Sequence, residues 1–306
     1  MSERLWRALA QRLAQGEPCV VASVVHSRGA TPRGSGSRML IGSSGTVGSV
    51  GGGQAEARVL DQASRLLASS ERSTTLALRL DGSADAVGVC GGQMRFALRR
   101  WSVEDSAIID AMLRDLAQGQ TLSLDADSLG ATAIDDLVPD ALQIQPDPRL
   151  LICGLGHCGR ALYEMAQPLD FDLAVHDAGS ERLDPHQFPE ASLWLGPPER
   201  LQAALATGRQ RLVVLLNRDY PTDVAQLRVL AALPHDLQPD WIGLMGSRRR
   251  LATVRDALRA TSLDWSRVHA PVGLAIGAQT PHEIAISILG QLIAWRHRPE
   301  SPRSAT

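Results

Sequence analysis

Four stretches of this chain hold residues whose types and spacing suit ligand chemistry. The first pairs the loop Arg28-Gly29-Ala30-Thr31-Pro32-Arg33-Gly34-Ser35-Gly36 with Gly51-Gly52-Gly53-Gln54. Successive amides without side chains form anion-binding nests, and a helix start adds its own free N–H groups. Arg28, Arg33 and Arg38 offer planar guanidinium groups able to clamp a phosphate. A phosphorylated, polar, planar ligand needs such a set, with Thr31 and Gln54 as further polar contacts. The same residues also suit two tight turns with solvated arginines. Three glycines at a helix start cost roughly 0.5–1 kcal/mol each relative to alanine, so positive φ or a close approach is expected there.

The second stretch is Val89-Cys90-Gly91-Gly92. A thiol beside glycines is accessible, and it can ligate a soft metal or carry sulfur as a persulfide. It can equally be a small buried hydrophobe. The third stretch, Gly154-Leu155-Gly156-His157-Cys158-Gly159, fits G-x-G-x-x-G between an apolar strand and a helix. The first glycine makes the turn, the second admits a phosphate, and the third lets helix and strand approach. Asp177 ends the next strand, where an acid can hold a ribose diol. The glycines also suffice for a tight turn with nothing bound. The fourth stretch is Gly246-Ser247-Arg248-Arg249-Arg250. Ser247 is a natural N-cap, but cations oppose the dipole at a helix start. An anion or a carboxylate partner near Ser247 and Arg248 resolves that conflict. Thr280-Pro281-His282-Glu283 reads as a capping box and not as chemistry.

The elements that must position these residues fall into two sets. Leu5, Trp6, Leu9 and Leu13 recur at helical spacing within Met1 to Gly16. Strands follow at Pro18–Val25, Arg38–Ile41, Thr46–Val50, Thr74–Leu80 and Gln93–Arg99, with helices at Gln54–Ala68 and Val103–Gln118. From Arg149 strands alternate with helices, at Leu150–Cys153, Leu173–Asp177, Arg211–Leu216, Trp241–Met245 and His269–Val272. Such alternation implies a parallel sheet covered by helices. The expected organisation is a mixed α/β domain over residues 1–120, a linker over 121–148, a Rossmann-like doubly wound domain over 149–296, and a polar tail over 297–306. The linker is expected because the stretch is acidic and holds Pro139, Pro146 and Pro148.

Composition narrows the function classes. With 306 residues and 44% hydrophobic content, the chain has material for two cores. A formal net charge of -2 supplies no global basic field for nucleic acid. No run of about 18 apolar residues exists, so no membrane-spanning helix is expected. The N-terminus carries no signal-peptide pattern, so a cytoplasmic protein with free thiols at Cys19, Cys90, Cys153 and Cys158 is expected. The eight histidines show no metal-ligand spacing.

Taken in order, these motifs resemble the XdhC/CoxI family of xanthine dehydrogenase accessory proteins. The resemblance rests on Gly29–Arg33 with Gly45–Gly48 and Gly51–Gly53; on Val89–Gly92; on the Gly154–His157 fingerprint; and on Ile242–Arg249 with Pro271–Gly277 and Pro281–Ala285. It implies an N-terminal XdhC/CoxI domain and a C-terminal Rossmann domain. It also implies a molybdenum-cofactor (molybdopterin) chaperone that guards the cofactor, supports its sulfuration by a cysteine desulfurase, and inserts it into a xanthine dehydrogenase-like molybdoenzyme. Such proteins are chaperones more than catalysts, and a homodimer is expected. The implied cofactor contacts are Arg28, Thr31, Arg33, Gly51, Gly52, Gly53, Gln54, Cys90, Gly91 and Gly92, with Cys90 on the metal. In the second domain they are Gly154, Gly156, Gly159, Asp177, Ser247 and Arg248, which NAD(P) or another nucleotide would also use. The rival reading is an NAD(P)-dependent oxidoreductase. One departure stands out: Asn217-Arg218-Asp219-Tyr220 replaces a Thr-His-containing segment common in the family.

Overall fold

The computed structural model describes residues 3–80, 82, 91–130, 143–179 and 184–297. They form two units, Met1–Pro146 and Asp147–Thr306.

The first unit is a five-stranded antiparallel sheet with helices on both faces. Its elements are α1 (Glu3–Ala14), β1 (Cys19–Arg28), β2 (Arg38–Gly42), β3 (Gly45–Gly48), α2 (Gly53–Ala68), β4 (Ser73–Arg79), β5 (Gln93–Trp101) and α3 (Ser106–Ala117). Strand order is β3-β2-β1-β5-β4. Central β1 shows why a continuous apolar run was needed. Successive side chains of a strand face opposite sides. Cys19, Val21 and Val25 therefore pack with Leu5, Leu9 and Leu116, while Val20, Ala22 and Val24 pack with Val59, Ala63 and Leu66. Trp6 of α1 meets Trp101 of β5 edge to face, with centroids 5.9 Å apart.

The described residues of the expected linker up to Pro146 belong to this unit. They form β6 (Leu122–Ser123), α4 (Ala126–Leu129) and β7 (Gln143–Ile144), and β6 pairs with β7. Leu124, Leu129 and Ile144 are buried in the same cluster as α1. Burying each such side chain contributes about 1.5–3 kcal/mol, which outweighs the local proline and acidic signals. The division between units falls after Pro146.

The second unit is a doubly wound parallel sheet. Its elements are β8 (Arg149–Cys153), α5 (His157–Ala166), β9 (Asp172–Asp177), β10 (Ser192–Leu195), α6 (Arg200–Leu205), β11 (Arg211–Leu215), α7 (Tyr220–Ala232), β12 (Trp241–Leu244), α8 (Arg248–Ala257), β13 (Val268–His269) and α9 (Pro281–Arg296). Strand order is β10-β9-β8-β11-β12-β13, every pair parallel. Leu150, Ile152 and Val214 pack with α5 and α9, whereas Leu151, Cys153 and Val213 pack with α6, α7 and α8. The Rossmann-like expectation holds, and the sheet reverses direction of growth between β8 and β11. In such sheets ligands settle outside the carboxyl ends of the strands at that reversal.

Candidate functional site

In the first unit three sequence-distant loops meet. A Cβ on Gly29 would lie 2.9 Å from the carbonyl oxygen of Gly91 and 3.1 Å from Cα of Gly92. A Cβ on Gly92 would meet the carbonyl oxygens of Ala30 and Arg28, the latter at 2.7 Å, and Thr31 Cγ2 at 2.8 Å. A Cβ on Gly51 would reach Pro32 Cγ at 2.6 Å. The segments 28–33, 51–53 and 91–92 thus share one place, and four of these six close approaches are to backbone atoms.

Gly51, Gly52 and Gly53 have φ of 133°, 74° and 60°, a run that L side chains resist. The nest they form is partly filled from within. Gly52 donates its amide to Glu56 Oε2 at 3.1 Å, and Ser49 donates its hydroxyl to the same oxygen at 2.7 Å. Gly51 donates to Ser49 Oγ at 3.2 Å. Space lies open beside Gly52, Gly53 and Gly91, and Gln54 is exposed next to them.

The expected clamp of three arginines is reduced to two. Arg28 and Arg33 are exposed, but Arg38 is 1% exposed, and burial pulls its guanidinium pKa down to about 10. It donates to the carbonyl of Gly36 at 3.3 Å. Both faces of β2 are covered, so the Arg38 side chain points into protein. Thr31 donates its hydroxyl to the Arg33 carbonyl at 3.1 Å and so shapes the loop. Cys90 lies outside the described residues. Its neighbour Gly91 is exposed, with φ of 85°, and donates to the Leu80 carbonyl at 2.7 Å.

In the second unit the fingerprint glycines divide their roles. Gly154 has φ of 91°, and a Cβ there would lie 2.8–2.9 Å from the backbone of Leu216 and Asn217. Gly159 abuts the Gly154 carbonyl, as close helix packing requires. Gly156 caps α5 and faces open space; the nearest atom to a Cβ there is Arg218 Nε at 4.0 Å. Asp177 accepts the Leu155 amide at 2.8 Å and the Gly179 amide at 3.0 Å, so it pins the glycine loop.

A cleft of about 820 Å³ opens at the sheet's reversal point, lined by Gly156, Arg160, Asp177, Asn217, Arg218, Asp219 and Thr222 among others. The loop after β11 and the first turn of α7 supply four of these, and sequence motifs alone did not nominate them. Asp219 accepts the amide and hydroxyl of Thr222, each at 2.9 Å, and these bonds hold its pKa below the ordinary carboxylate value. Arg160 turns to the Leu155 carbonyl and to Gln187.

Beneath the cleft runs a buried polar chain. Arg250 donates to Asp223, and Asn217 Nδ2 donates to Asp223 Oδ1 at 3.0 Å and to Gln226 Oε1 at 2.6 Å. Gln226 Nε2 in turn lies 3.1 Å from His176 Nδ1. Burial depresses the His176 pKa, so the imidazole is neutral and accepts at Nδ1. Arg250 is therefore the arginine of the basic helix start that finds a carboxylate. Ser247 caps α8 by accepting the Arg250 amide at 3.2 Å, and Ser247 and Arg248 are exposed and absent from the lining of the cleft.

The remaining motifs behave as structure. Thr280 accepts the Glu283 amide at 3.3 Å, and Glu283 accepts the Thr280 amide at 2.9 Å, completing the capping box. Cys19 and Cys153 are buried, and Cys158 is half-buried; burial pushes all three thiols up in pKa. Among the described residues no group of three or more His, Cys, Asp or Glu could hold a metal, and no helix is long and apolar enough to cross a membrane.

Comparison with known proteins agrees with both units. Residues 12–81 match the XdhC and CoxI family, and residues 150–292 match the XdhC Rossmann domain. An uncharacterized protein of Escherichia coli, YqeB, is 28% identical over 286 residues, which are 91% of this chain and 44% of that protein. A Bacillus subtilis protein described as a probable xanthine dehydrogenase subunit is 29% identical over 157 residues, 51% of this chain and 45% of that protein. The chain thus spans less than half the length of either relative. A crystal structure of a xanthine dehydrogenase from Bacillus halodurans superposes with a TM-score of 0.75 at 24% identity, covering 99% of both chains, and shares the fold.

Proposed function

The chain belongs to the XdhC and CoxI family, and on that premise we propose that it is an accessory protein of a xanthine dehydrogenase-like molybdoenzyme that holds the molybdenum cofactor for sulfuration and delivery. The observation that carries this is the meeting of 28–33, 51–53 and 91–92 through glycine contacts in the first unit. The family match over 12–81 and the name of the Bacillus subtilis relative support it.

The residues present fit a phosphorylated pterin. Open space beside Gly52, Gly53 and Gly91 leaves room for a planar group against backbone. The exposed guanidinium groups of Arg28 and Arg33 suit its phosphate, and Gln54 suits the polar edge of the pterin. Glu56 occupies the Gly52 amide, so phosphate recognition falls to the arginines more than to the helix start. When bound, the cofactor supplies molybdenum–sulfur chemistry to the client enzyme. The accessory protein shields it, and the thiol of Cys90, a residue named from the sequence, would serve as the soft ligand or sulfur carrier. A cysteine desulfurase supplies the sulfur.

The test is purification from a host that makes the cofactor, followed by metal analysis and pterin extraction. Stoichiometric molybdenum and pterin are expected, with both lowered in an Arg28→Ala/Arg33→Ala double variant. Cys90→Ala should lower activation of a co-expressed hydroxylase, whereas Cys158→Ala, in the other unit, should not. Protein free of molybdenum and pterin would overturn the proposal.

A further inference from the structure

The buried polar chain of the second unit has two self-consistent polarities. Asn217 is the one asparagine of the sequence, and it stands 7% exposed on the wall of the cleft. Its Nδ2 donates both to Asp223 Oδ1 and to Gln226 Oε1. Gln226 points its own Nε2 at His176 Nδ1. Asp223, Gln226 and His176 are wholly buried. An ionised carboxylate only accepts, and a neutral imidazole accepts at Nδ1, so the two ends of the chain dictate the direction of both amides. Asn217 Oδ1 is left on the other side, beside Gly154, 2.9 Å from the place of a Cβ.

A proton on His176 Nδ1 sets a donor against a donor. Gln226 relieves this by turning its amide half round, which offers Oε1 to the imidazolium and sets Nε2 against Asn217 Nδ2. Asn217 must then turn as well, and its oxygen comes to face Asp223. Two bare acceptors do not share such a contact, so Asp223 takes a proton too. Burial already favours its neutral form, with Arg250 opposing. Both protons come from solvent. In the reversed chain His176 donates to Gln226, while Gln226 and Asp223 donate to Asn217 Oδ1, so every bond of the first polarity has a counterpart. Asn217 Nδ2 then occupies the place beside Gly154.

The surroundings of His176 set where this happens. Cys153 of β8 and Trp194 of β10 are its register partners, and burial pushes the Cys153 thiol up, so it is neutral. Asp177 on β9 favours the imidazolium, as does the backbone of Gly196 and Pro197. From α7 come Gln226 and, one step further, Asp223, with Arg250 of α8 beyond it. Desolvation outweighs the favourable groups and places the change below pH 6.5. We infer that this chain is a proton-driven amide relay: protonation of His176 reverses Gln226 and Asn217, and the cleft wall beside Gly154 changes from a hydrogen-bond acceptor to a donor.

Nuclear magnetic resonance on the full chain carrying amide-15N asparagine tests this, because a single side-chain NH2 pair is then visible. At pH 7.5 that pair should be protected from solvent exchange, since both of its bonds are buried. Between pH 7.5 and 5 it should move to a second position. The midpoint should lie below pH 6.5 and coincide with that of the His176 imidazole signal, assigned by its loss in His176→Gln. The steepness should approach about two protons. Gln226→Met keeps the bulk and removes the relay, so His176 should still titrate while the Asn217 pair stays put. Asp177 is present in both proteins, so a response to its charge alone survives the substitution. Where Gln226→Met fails to fold, the wild-type titration decides. An Asn217 pair that holds its position while His176 titrates, a transition of one proton only, an imidazole neutral down to pH 5, or an unchanged response in Gln226→Met overturns the inference.

Discussion

Arg250 reaches from the first turn of α8 to the buried carboxylate of Asp223 on α7, with Nε 2.8 Å from Oδ2. Its other nitrogens bond the carbonyls of Asn217, Arg218 and Asp219, so one guanidinium ties the whole loop after β11. Burial pushes the Asp223 pKa up, while the bonds from Asn217 and Arg250 hold it down. Arg250→Ala leaves a buried carboxylate short of its cation and should cost about 3–5 kcal/mol. Arg248→Ala, two residues away and exposed, should stay within about 0.5 kcal/mol of wild type. Urea unfolding of both variants is the measurement. Equal midpoints would show that Asp223 does not depend on Arg250.

Gly92 and Gly34 form a second contrast. A methyl group on Gly92 is driven into the backbone of residues 28–30, whereas nothing lies within 4 Å of one on Gly34. Gly92→Ala should lose about 1–3 kcal/mol and release molybdenum where the wild type retains it. Gly34→Ala should do neither. Retention of stability and metal by Gly92→Ala would mean that the 28–33 loop moves freely from its neighbour.

His176 makes the second unit sensitive to acid. The imidazole is fully buried, accepts from Gln226, and has its pKa lowered by desolvation. The unfolded chain protonates its histidine near pH 6.5 and so binds more protons than the folded chain below that value. The stability contributed by neutral His176 is therefore complete above about pH 6.5 and is lost as pH falls below it. Thermal midpoints from pH 7.5 to 5 should fall more steeply for wild type than for His176→Asn. Parallel curves would remove His176 as the source.

What the sequence showed depended on whether a residue's role was local. The fingerprint was legible because each glycine answers a backbone need at fixed spacing, and Gly154, Gly156 and Gly159 occupy the three roles. The capping box at Thr280 was legible for the same reason. Arg38 was not, because both faces of β2 are covered and no alternation marks which side is inside. Strand β10 escaped because it is a short, half-buried edge strand running into Gly196-Pro197-Pro198. Asn217 could be noted as a departure, but its fixed orientation needs Asp223, Gln226 and Arg250, which only the fold brings to it. For the stretch 121–148, composition outspoke a few leucines that proved to be core.

The keyed glycines of the first unit also set an order of events for a growing chain. Loop 28–33 is complete in sequence long before Gly91 and Gly92 exist, yet its backbone is shaped against them. Strand β1 likewise waits for β5, its partner over most of its length. Closure over such a separation is entropically slow and arrives with the sheet, not before it. A half-made chain therefore lacks the assembled loop cluster, and on the proposed reading only finished protein would engage the cofactor. A cofactor that recognised the native state alone would deepen that state by mass action, and its scarcity would leave the protein measurably easier to unfold.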